Sequence, residues 1–172
     1  MKLGMFTMPL HRPDKPWAQA LAEDREAVVL ADRLGFSEVW IGEHFSTKVE
    51  QIPAPMMFLA SLLHDAPNIR LGTGVLIPTN RIAPVTANAF ASLNQLASGR
   101  IDFGVGTGFT GRRAMGLGAM KLADMEEYIR VVYGLLADEI VEATFEGKTR
   151  KIKFLNPDLG LINTTDPIPL HV

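Results

Sequence analysis

The chain has 172 residues, a length for which a single domain is the default, and its 47% hydrophobic and 21% charged residues are typical of a globular protein with a buried core. Its net charge of −2 gives no electrostatic reason to expect nucleic acid or an anionic membrane as a partner. The absence of cysteine excludes disulfides, thiolate metal ligands and a cysteine nucleophile. Because no apolar run has the length of a signal peptide or a membrane span, we expect a cytoplasmic protein.

The first part of the chain predicts two strand–helix units. Residues 3–8 form an apolar strand that ends in a proline-rich loop. Residues 17–34 then repeat apolar side chains at helical spacing, and Gly35 stands where the end of a helix favours a left-handed residue. A second strand over residues 39–41 leads through a loop to a helix over residues 56–66.

The rest of the chain continues this alternation of strands and helices. The predicted elements are, in chain order, a strand over 69–77, a helix over 85–96, a strand over 101–105, a glycine-rich loop over 106–118, a helix over 122–141, a hairpin turn at 145–148 and a strand over 168–172.

The order of elements predicts an α/β fold with a parallel sheet and right-handed crossovers. If each strand lies beside its predecessor, every helix falls on one face of the sheet, and the other face closes on itself as a barrel. Predicted strands recur about every 40 residues, so eight units would need about 330 residues, a usual barrel size. We therefore expect residues 1–172 to form one domain, the N-terminal half of a (β/α)8 TIM barrel truncated in the fifth strand. The alternative is an open sheet with flavodoxin-type strand order.

His44 is the strongest candidate for a catalytic residue. It follows closely after the second predicted strand, and the carboxyl ends of parallel strands are where such folds place their chemistry. An imidazole there can hydrogen-bond a cofactor or exchange a proton near neutral pH. The plain alternative is a loop histidine that donates to a backbone carbonyl. Because neighbouring side chains on extended backbone point apart, Glu43 and His44 are expected to play different roles.

The third strand contains a possible cofactor surface. Gly74 and Val75 could present bare backbone to a flat ring system, and Thr73 could offer it a hydroxyl group. The alternative is that Gly72 and Gly74 only allow the strand to pack closely against its neighbours.

The glycine-rich loop after the fourth strand is a possible phosphate site. Gly106 and Thr107 could direct backbone N–H groups at a phosphate, and Arg112 or Arg113 could add positive charge. Composition alone does not distinguish such a loop from an ordinary flexible one. We predict no metal site.

Three motifs occur in a recognisable order: residues 39–45 (Val-Trp-Ile-Gly-Glu-His-Phe), residues 71–75 (Leu-Gly-Thr-Gly-Val) and residues 99–106 (Gly-Arg-Ile-Asp-Phe-Gly-Val-Gly). Together they resemble the bacterial luciferase-like family of flavin-dependent oxidoreductases. The resemblance covers effectively the whole chain. It implies a TIM barrel that binds FMN, or a deazaflavin coenzyme, at its C-terminal mouth.

The resemblance also implies roles for particular residues. His44 matches the family histidine that lies near the flavin and supports its oxygen chemistry. The bond between Gly74 and Val75 matches a site where a cis non-proline peptide often lies against the flavin ring. Thr107 stands where the luciferases have an arginine for the flavin phosphate, so Arg112 or Arg113 would have to substitute.

The function that the resemblance implies is a two-component monooxygenase. It would use reduced, diffusible FMN from a separate flavin reductase, with O₂ and a small hydrophobic organic substrate. An alternative within the enzymes is a deazaflavin-dependent dehydrogenase or reductase. An alternative of another class is an inactive fragment, or a non-catalytic module for flavin binding or association.

A half-barrel would leave the inner face of its sheet uncovered, so we expect a homo-oligomer, or else the visible part of a longer protein. The apolar residues expected on that face, in whatever alternation the pleat of each strand imposes, are Met5, Val39, Ile41, Leu71, Val75, Ile101 and Val105.

Overall fold

A computed structural model describes residues 1–172, and a five-stranded parallel sheet lies at its centre. The strands, in chain order, are β1 (Gly4–Thr7), β2 (Glu38–Ile41), β3 (Arg70–Thr73), β4 (Ile101–Gly104), β5 (Val141–Phe145), β6 (Lys148–Ile152) and β7 (Leu170–His171). The sheet has the spatial order β1-β2-β3-β4-β7, while β5 and β6 form the predicted antiparallel hairpin. Each strand of the sheet thus lies beside its predecessor, as predicted. The flavodoxin-type order is not observed.

Five α-helices accompany the strands: α1 (Trp17–Arg33), α2 (Pro55–Leu62), α3 (Ala83–Leu96), α4 (Phe109–Ala114) and α5 (Leu122–Leu136). Gly35 has a φ of 81°, which confirms the predicted left-handed residue at the end of α1. None of the helices combines the length and apolar character needed to cross a lipid bilayer.

Three predicted boundaries in the second part of the chain are wrong. The strand predicted over 69–77 ends at Thr73. The glycine-rich segment is not all loop, because Phe109–Ala114 forms α4 after Gly108, whose φ of 68° turns the chain into the helix. The helix predicted over 122–141 ends at Leu136, and Val141 instead begins β5. Asp138, with a φ of 59°, makes the left-handed turn between these two elements.

The register of the sheet decides which side chains form the core. Met5, Val39, Leu71 and Ile101 lie in one row across the four strands. The last three are fully buried in a hydrophobic cluster with residues of the helices, including Phe90 of α3. This row therefore faces the helices.

The expectation for the uncovered face is consequently wrong. Val39, Ile41, Leu71, Ile101 and Val105 are fully buried in the core. Side chains alternate along a strand, and the helices cover the more apolar alternate set. The set on the other face is a different one: Phe6, Glu38, Trp40, Arg70, Gly72, Asp102 and His171.

An ion pair and an indole ring lie on the uncovered face. Arg70 donates from Nε and Nη2 to the two carboxylate oxygens of Asp102, both at 2.8 Å. The Trp40 ring lies over Gly72, where an added Cβ would stand 2.5 Å from the indole carbon Cε3. The ring of His171 meets the Trp40 ring edge-on, with 4.5 Å between centroids. At Gly72 the structure therefore supports the packing interpretation.

Candidate functional site

A cleft of about 370 Å³ opens where strands β1 to β4 end. Its lining residues come from β1, from the loops that follow the four strands and from the start of α4: Phe6, Met8, Gly42, Glu43, His44, Gly74, Val75, Ile77, Gly106, Thr107, Gly108, Phe109 and Thr110. The cleft thus brings together the predicted His44, Gly74, Val75, Gly106 and Thr107. Larger depressions lie on the outer side of α1 and between α5, β5 and the 3₁₀ turn Pro78–Asn80. We assign the site to the smaller cleft because the carboxyl ends of the parallel strands meet there.

His44 has one ring nitrogen paired and the other free. Its Nδ1 lies 3.1 Å from Oε2 of Glu50, and both side chains are largely buried. Its Nε2 is buried without a hydrogen-bond partner. This nitrogen lies beside Gly42 in the wall of the cleft, where an added Cβ would be 2.8 Å from it. The free nitrogen is thus an unused hydrogen-bonding atom at the edge of the candidate site.

Glu43 has quite different partners from those of His44. Its fully buried carboxylate accepts the backbone N–H of Ile77 at 2.6 Å and forms an ion pair with Arg81. These contacts tie the loop after β2 to the loop after β3. The two neighbouring residues therefore differ in role, as the alternation of side chains predicted.

Bare backbone forms part of the cleft wall. The peptide bond between Gly74 and Val75 is cis, as the family resemblance predicted. An added Cβ at Gly74 would lie 2.9 Å from Cβ of Trp40, and one at Gly106 would lie 2.7 Å from Cγ2 of Val75. Neighbouring atoms thus leave no space for side chains at these two positions.

Thr73 does not offer its hydroxyl to the cleft, contrary to expectation. Its side chain is fully buried on the helix side of the sheet. Its Oγ1 donates to the carbonyl oxygen of Gly104 at 2.7 Å and accepts the Gly104 N–H at 3.1 Å. The hydroxyl therefore links β3 to β4, and its burial keeps it away from a cofactor in the cleft.

The two arginines of the glycine-rich segment do not line the cleft either. Arg112 donates from Nε to the carbonyl oxygen of Gly118 at 2.6 Å and from Nη1 to Oγ1 of Thr79 at 2.7 Å. Arg113 is exposed on α4. In this structure Arg112 holds its own loop together, so the expected phosphate contact has no geometric support.

The residue profile of the luciferase-like monooxygenase family matches residues 1–172. The chain belongs to this family. Limonene 1,2-monooxygenase of Rhodococcus erythropolis is 38% identical to this luciferase-like chain over 141 residues, which are 80% of the chain and 36% of that protein. F420-dependent glucose-6-phosphate dehydrogenase of Kineococcus radiotolerans is 34% identical over an alignment of 176 positions, gaps included, which covers 95% of the chain and 50% of that protein. The resemblance inferred from the three motifs is confirmed.

Solved structures support the same fold. The oxygenating constituent of 3,6-diketocamphane monooxygenase from Pseudomonas putida, in complex with FMN, matches with a TM-score of 0.84 and 19% identity, over 99% of the chain and 51% of that structure. Monooxygenase RslO1 from Streptomyces bottropensis matches with a TM-score of 0.83 and 26% identity, over 99% of the chain and 52% of that structure. The fold is thus the α/β parallel-sheet fold of luciferase-like TIM-barrel proteins. The chain spans about a third to a half of the length of these relatives and structures.

Proposed function

We propose that this luciferase-like chain carries the flavin cleft of a two-component, FMN-dependent monooxygenase that acts on a small hydrophobic organic substrate. The observation that carries the proposal is the cleft at the strand ends, which combines an imidazole with a free nitrogen and a wall of bare backbone. Its volume of about 370 Å³ lies within the usual range of ligand sites.

The residues present fit a flavin. A planar ring system needs a flat contact surface, and Gly42, Gly74 and Gly106 supply backbone without side chains on the cleft walls. His44 adds a buried nitrogen that has no protein partner, and such an atom is normally satisfied by a ligand or by water. Gly106 and Thr107 also line the cleft, and Gly106 lies next to Val75.

The chain's own residues would bind and orient the flavin and shield it from water. Val75 and Gly74 would support the ring, while Phe6, Met8 and Phe109 would reduce access of water to the cleft. His44 would accept or donate a proton at Nε2. Reduced FMN, when bound, supplies the electrons that allow one atom of O₂ to enter the substrate and the other to leave as water.

The proposal also includes a half-barrel that is part of a TIM barrel, a separate flavin reductase as partner, assembly as a homo-oligomer and a cytoplasmic location. FMN is present in the diketocamphane monooxygenase structure, which supports FMN as the cofactor.

A deazaflavin-dependent oxidoreductase is a second candidate. It is supported by the F420-dependent dehydrogenase, which aligns with 95% of the chain, a larger share than the limonene monooxygenase does. In that case the same cleft would position the coenzyme for hydride transfer, and O₂ would not be consumed.

Binding of the two cofactors separates these candidates. Titration of the protein with FMN and with F420 can be followed by quenching of tryptophan fluorescence, since Trp40 adjoins Gly74 in the cleft wall. Trp17 is half exposed on α1, so a Trp40→Phe variant is the control that should lose the signal. Binding of FMN together with substrate-dependent O₂ uptake supports the monooxygenase. Binding of F420 alone supports the second candidate, and binding of neither supports a non-catalytic module.

A further inference from the structure

Glu50 approaches His44 because two loops are fastened to each other. Leu10, in the loop after β1, forms an antiparallel bridge with Glu50, in the loop after β2. The N–H of His11 donates to the carbonyl oxygen of Val49 at 2.9 Å, and the N–H of Gln51 donates to that of Pro9 at 3.3 Å. Segments about forty residues apart therefore form a small ribbon at the mouth of the sheet.

Hydrogen bonds restrain both segments of the ribbon. Oγ1 of Thr47 donates to the carbonyl oxygen of Glu50 at 2.8 Å and accepts its N–H at 3.2 Å. On the other side, Nε2 of His11 lies 2.9 Å from Oδ1 of Asp24 on α1. The backbone of Glu50 is thus restrained at several points, and its largely buried carboxylate lies against His44.

The placement of this carboxylate decides where the imidazole proton resides. An ionised carboxylate accepts hydrogen bonds and donates none, so an imidazole nitrogen in close contact with it is more stable when that nitrogen carries the hydrogen. That nitrogen is Nδ1, at 3.1 Å from Glu50. In a neutral ring the lone pair then resides on Nε2, the nitrogen beside Gly42 that has no protein partner.

We infer that Glu50 is a positioning residue that holds His44 in the Nδ1–H tautomer and so leaves an unprotonated Nε2 beside Gly42 in the cleft wall. The catalytic use of this tautomer rests on the proposed function, whereas the tautomer itself does not. A carboxylate that orients an imidazole in this way is a general device in acid–base catalysis, and its loss leaves the ring free to adopt the other tautomer.

The test is an ¹⁵N NMR measurement on the 172-residue chain labelled at histidine, at a pH where the rings are neutral. The chain has four histidines, and a His44→Gln variant assigns the His44 signals. In the unmodified protein we expect a protonated Nδ1 and an unprotonated Nε2. A proton on Nε2 would overturn the inference without any Glu50 variant, so the test does not depend on the folding of a mutant.

Substitutions then test whether Glu50 determines which nitrogen of His44 carries the proton. Glu50→Ala is expected to move the proton to Nε2, while Glu50→Gln, whose amide oxygen still accepts a hydrogen bond, should keep it on Nδ1. Lys48→Ala, at an exposed position of the same loop, is the matched control and should change nothing. A tautomer that is unchanged in Glu50→Ala would refute the inference.

Turnover distinguishes this inference from the proposed function. With the candidate cofactor and substrate, Glu50→Ala is expected to lower kcat by about 10-fold or more, with partial recovery in Glu50→Gln. A changed tautomer with unchanged kcat would support the positioning role and refute the catalytic role of His44. Unchanged cofactor affinity is expected in both Glu50 variants, because Glu50 does not line the cleft.

Discussion

At the scale of single residues, His44 and Glu43 show how one step along the chain separates two roles. Glu43 is fully buried and has its oxygens committed to Ile77 and Arg81. His44 retains a nitrogen without a partner at the cleft. Only His44 therefore has free capacity for chemistry.

The first prediction is that His44→Ala lowers turnover by about 100-fold or more, the usual contribution of a general acid or base. Folding and flavin binding should be nearly unchanged, because Gly74, Val75 and Gly106 still form the cleft. The measurement is steady-state turnover with reduced flavin, together with a binding titration. His64→Ala is the control, since His64 is exposed at the end of the α2 segment. Equal turnover in the two variants would remove His44 from the catalytic site.

The second prediction concerns close packing at Gly72. A methyl group there would stand 2.5 Å from the Trp40 ring, so we expect Gly72→Ala to lower the free energy of unfolding by about 1–3 kcal/mol. Gly118→Ala is the matched control: nothing lies within 4 Å of its added Cβ, and its φ is not positive. Chemical denaturation of both variants is the measurement. Equal stability would show that the indole ring moves aside at no cost.

At the scale of elements, side-chain contacts between loops hold the cleft in shape. Glu43 joins the loop after β2 to the 3₁₀ turn and Arg81 that follow β3. Glu50 belongs to the ribbon that joins the loop after β1 to the loop after β2. The short strands, of four residues each in β1 to β4, thus end in loops that support each other.

The third prediction tests the contact of Glu43. Glu43→Ala leaves Arg81 without its buried partner and the Ile77 N–H without an acceptor, so we expect a loss of about 3–5 kcal/mol in the free energy of unfolding. Glu127→Ala is the control. It breaks a surface ion pair with Arg130 in which both side chains are about half exposed, and should cost less than about 1 kcal/mol. Similar losses in urea denaturation would contradict a special role for the buried pair.

The fourth prediction concerns alkaline pH and helix α5. Burial raises the pKa of Tyr128 and of Tyr133 to about 12, from an ordinary value of 10.0. The unfolded chain therefore loses the phenolic protons at lower pH than the folded chain does. The stabilising contribution is fully present below pH 10 and is lost as the pH rises towards 12.

Unfolding midpoints across this pH range test the prediction. A variant with Tyr128→Phe and Tyr133→Phe should lose less stability on going to high pH than the unmodified protein does, each relative to its own neutral value. These are the only two tyrosines, so phenolate absorbance reports directly on them. Phenolate formation near the ordinary pKa in the folded protein would contradict the burial argument.

At the scale of the whole molecule, the sheet is covered by helices on one face only. The other face carries the pair Arg70 and Asp102 and the rings of Trp40 and Phe6, of which Phe6 is 60% exposed. The outer edges of β1 and β7 have no neighbouring strand. Such edges can pair with other chains.

The fifth prediction is therefore that the 172-residue chain associates with itself. Sedimentation velocity over a range of concentrations should show a dimer or a larger assembly. The polar groups now seen on the uncovered face make this association less strongly driven than a fully apolar face would. A monomer of 18.8 kDa with cooperative unfolding and no dye-accessible apolar surface would contradict the prediction.

The sequence by itself determined the element order, the parallel sheet with each strand beside its predecessor, the hairpin and the family. It also indicated His44, Gly74, Val75, Gly106 and Thr107, all of which lie at one cleft. These features are predictable because they depend on periodicity within short windows and on motifs that follow strand ends.

Only the tertiary structure decided which face each strand buries and which polar groups are already occupied. Thr73 binds Gly104, which is 31 residues away, and Glu43 binds Arg81, which is 38 residues away. The ribbon that contains Glu50 likewise joins residues about forty apart, for example through the N–H of His11, which donates to the carbonyl oxygen of Val49. Hydrogen bonds between residues so far apart leave no local pattern in the sequence, since each depends on how the whole sheet aligns its strands.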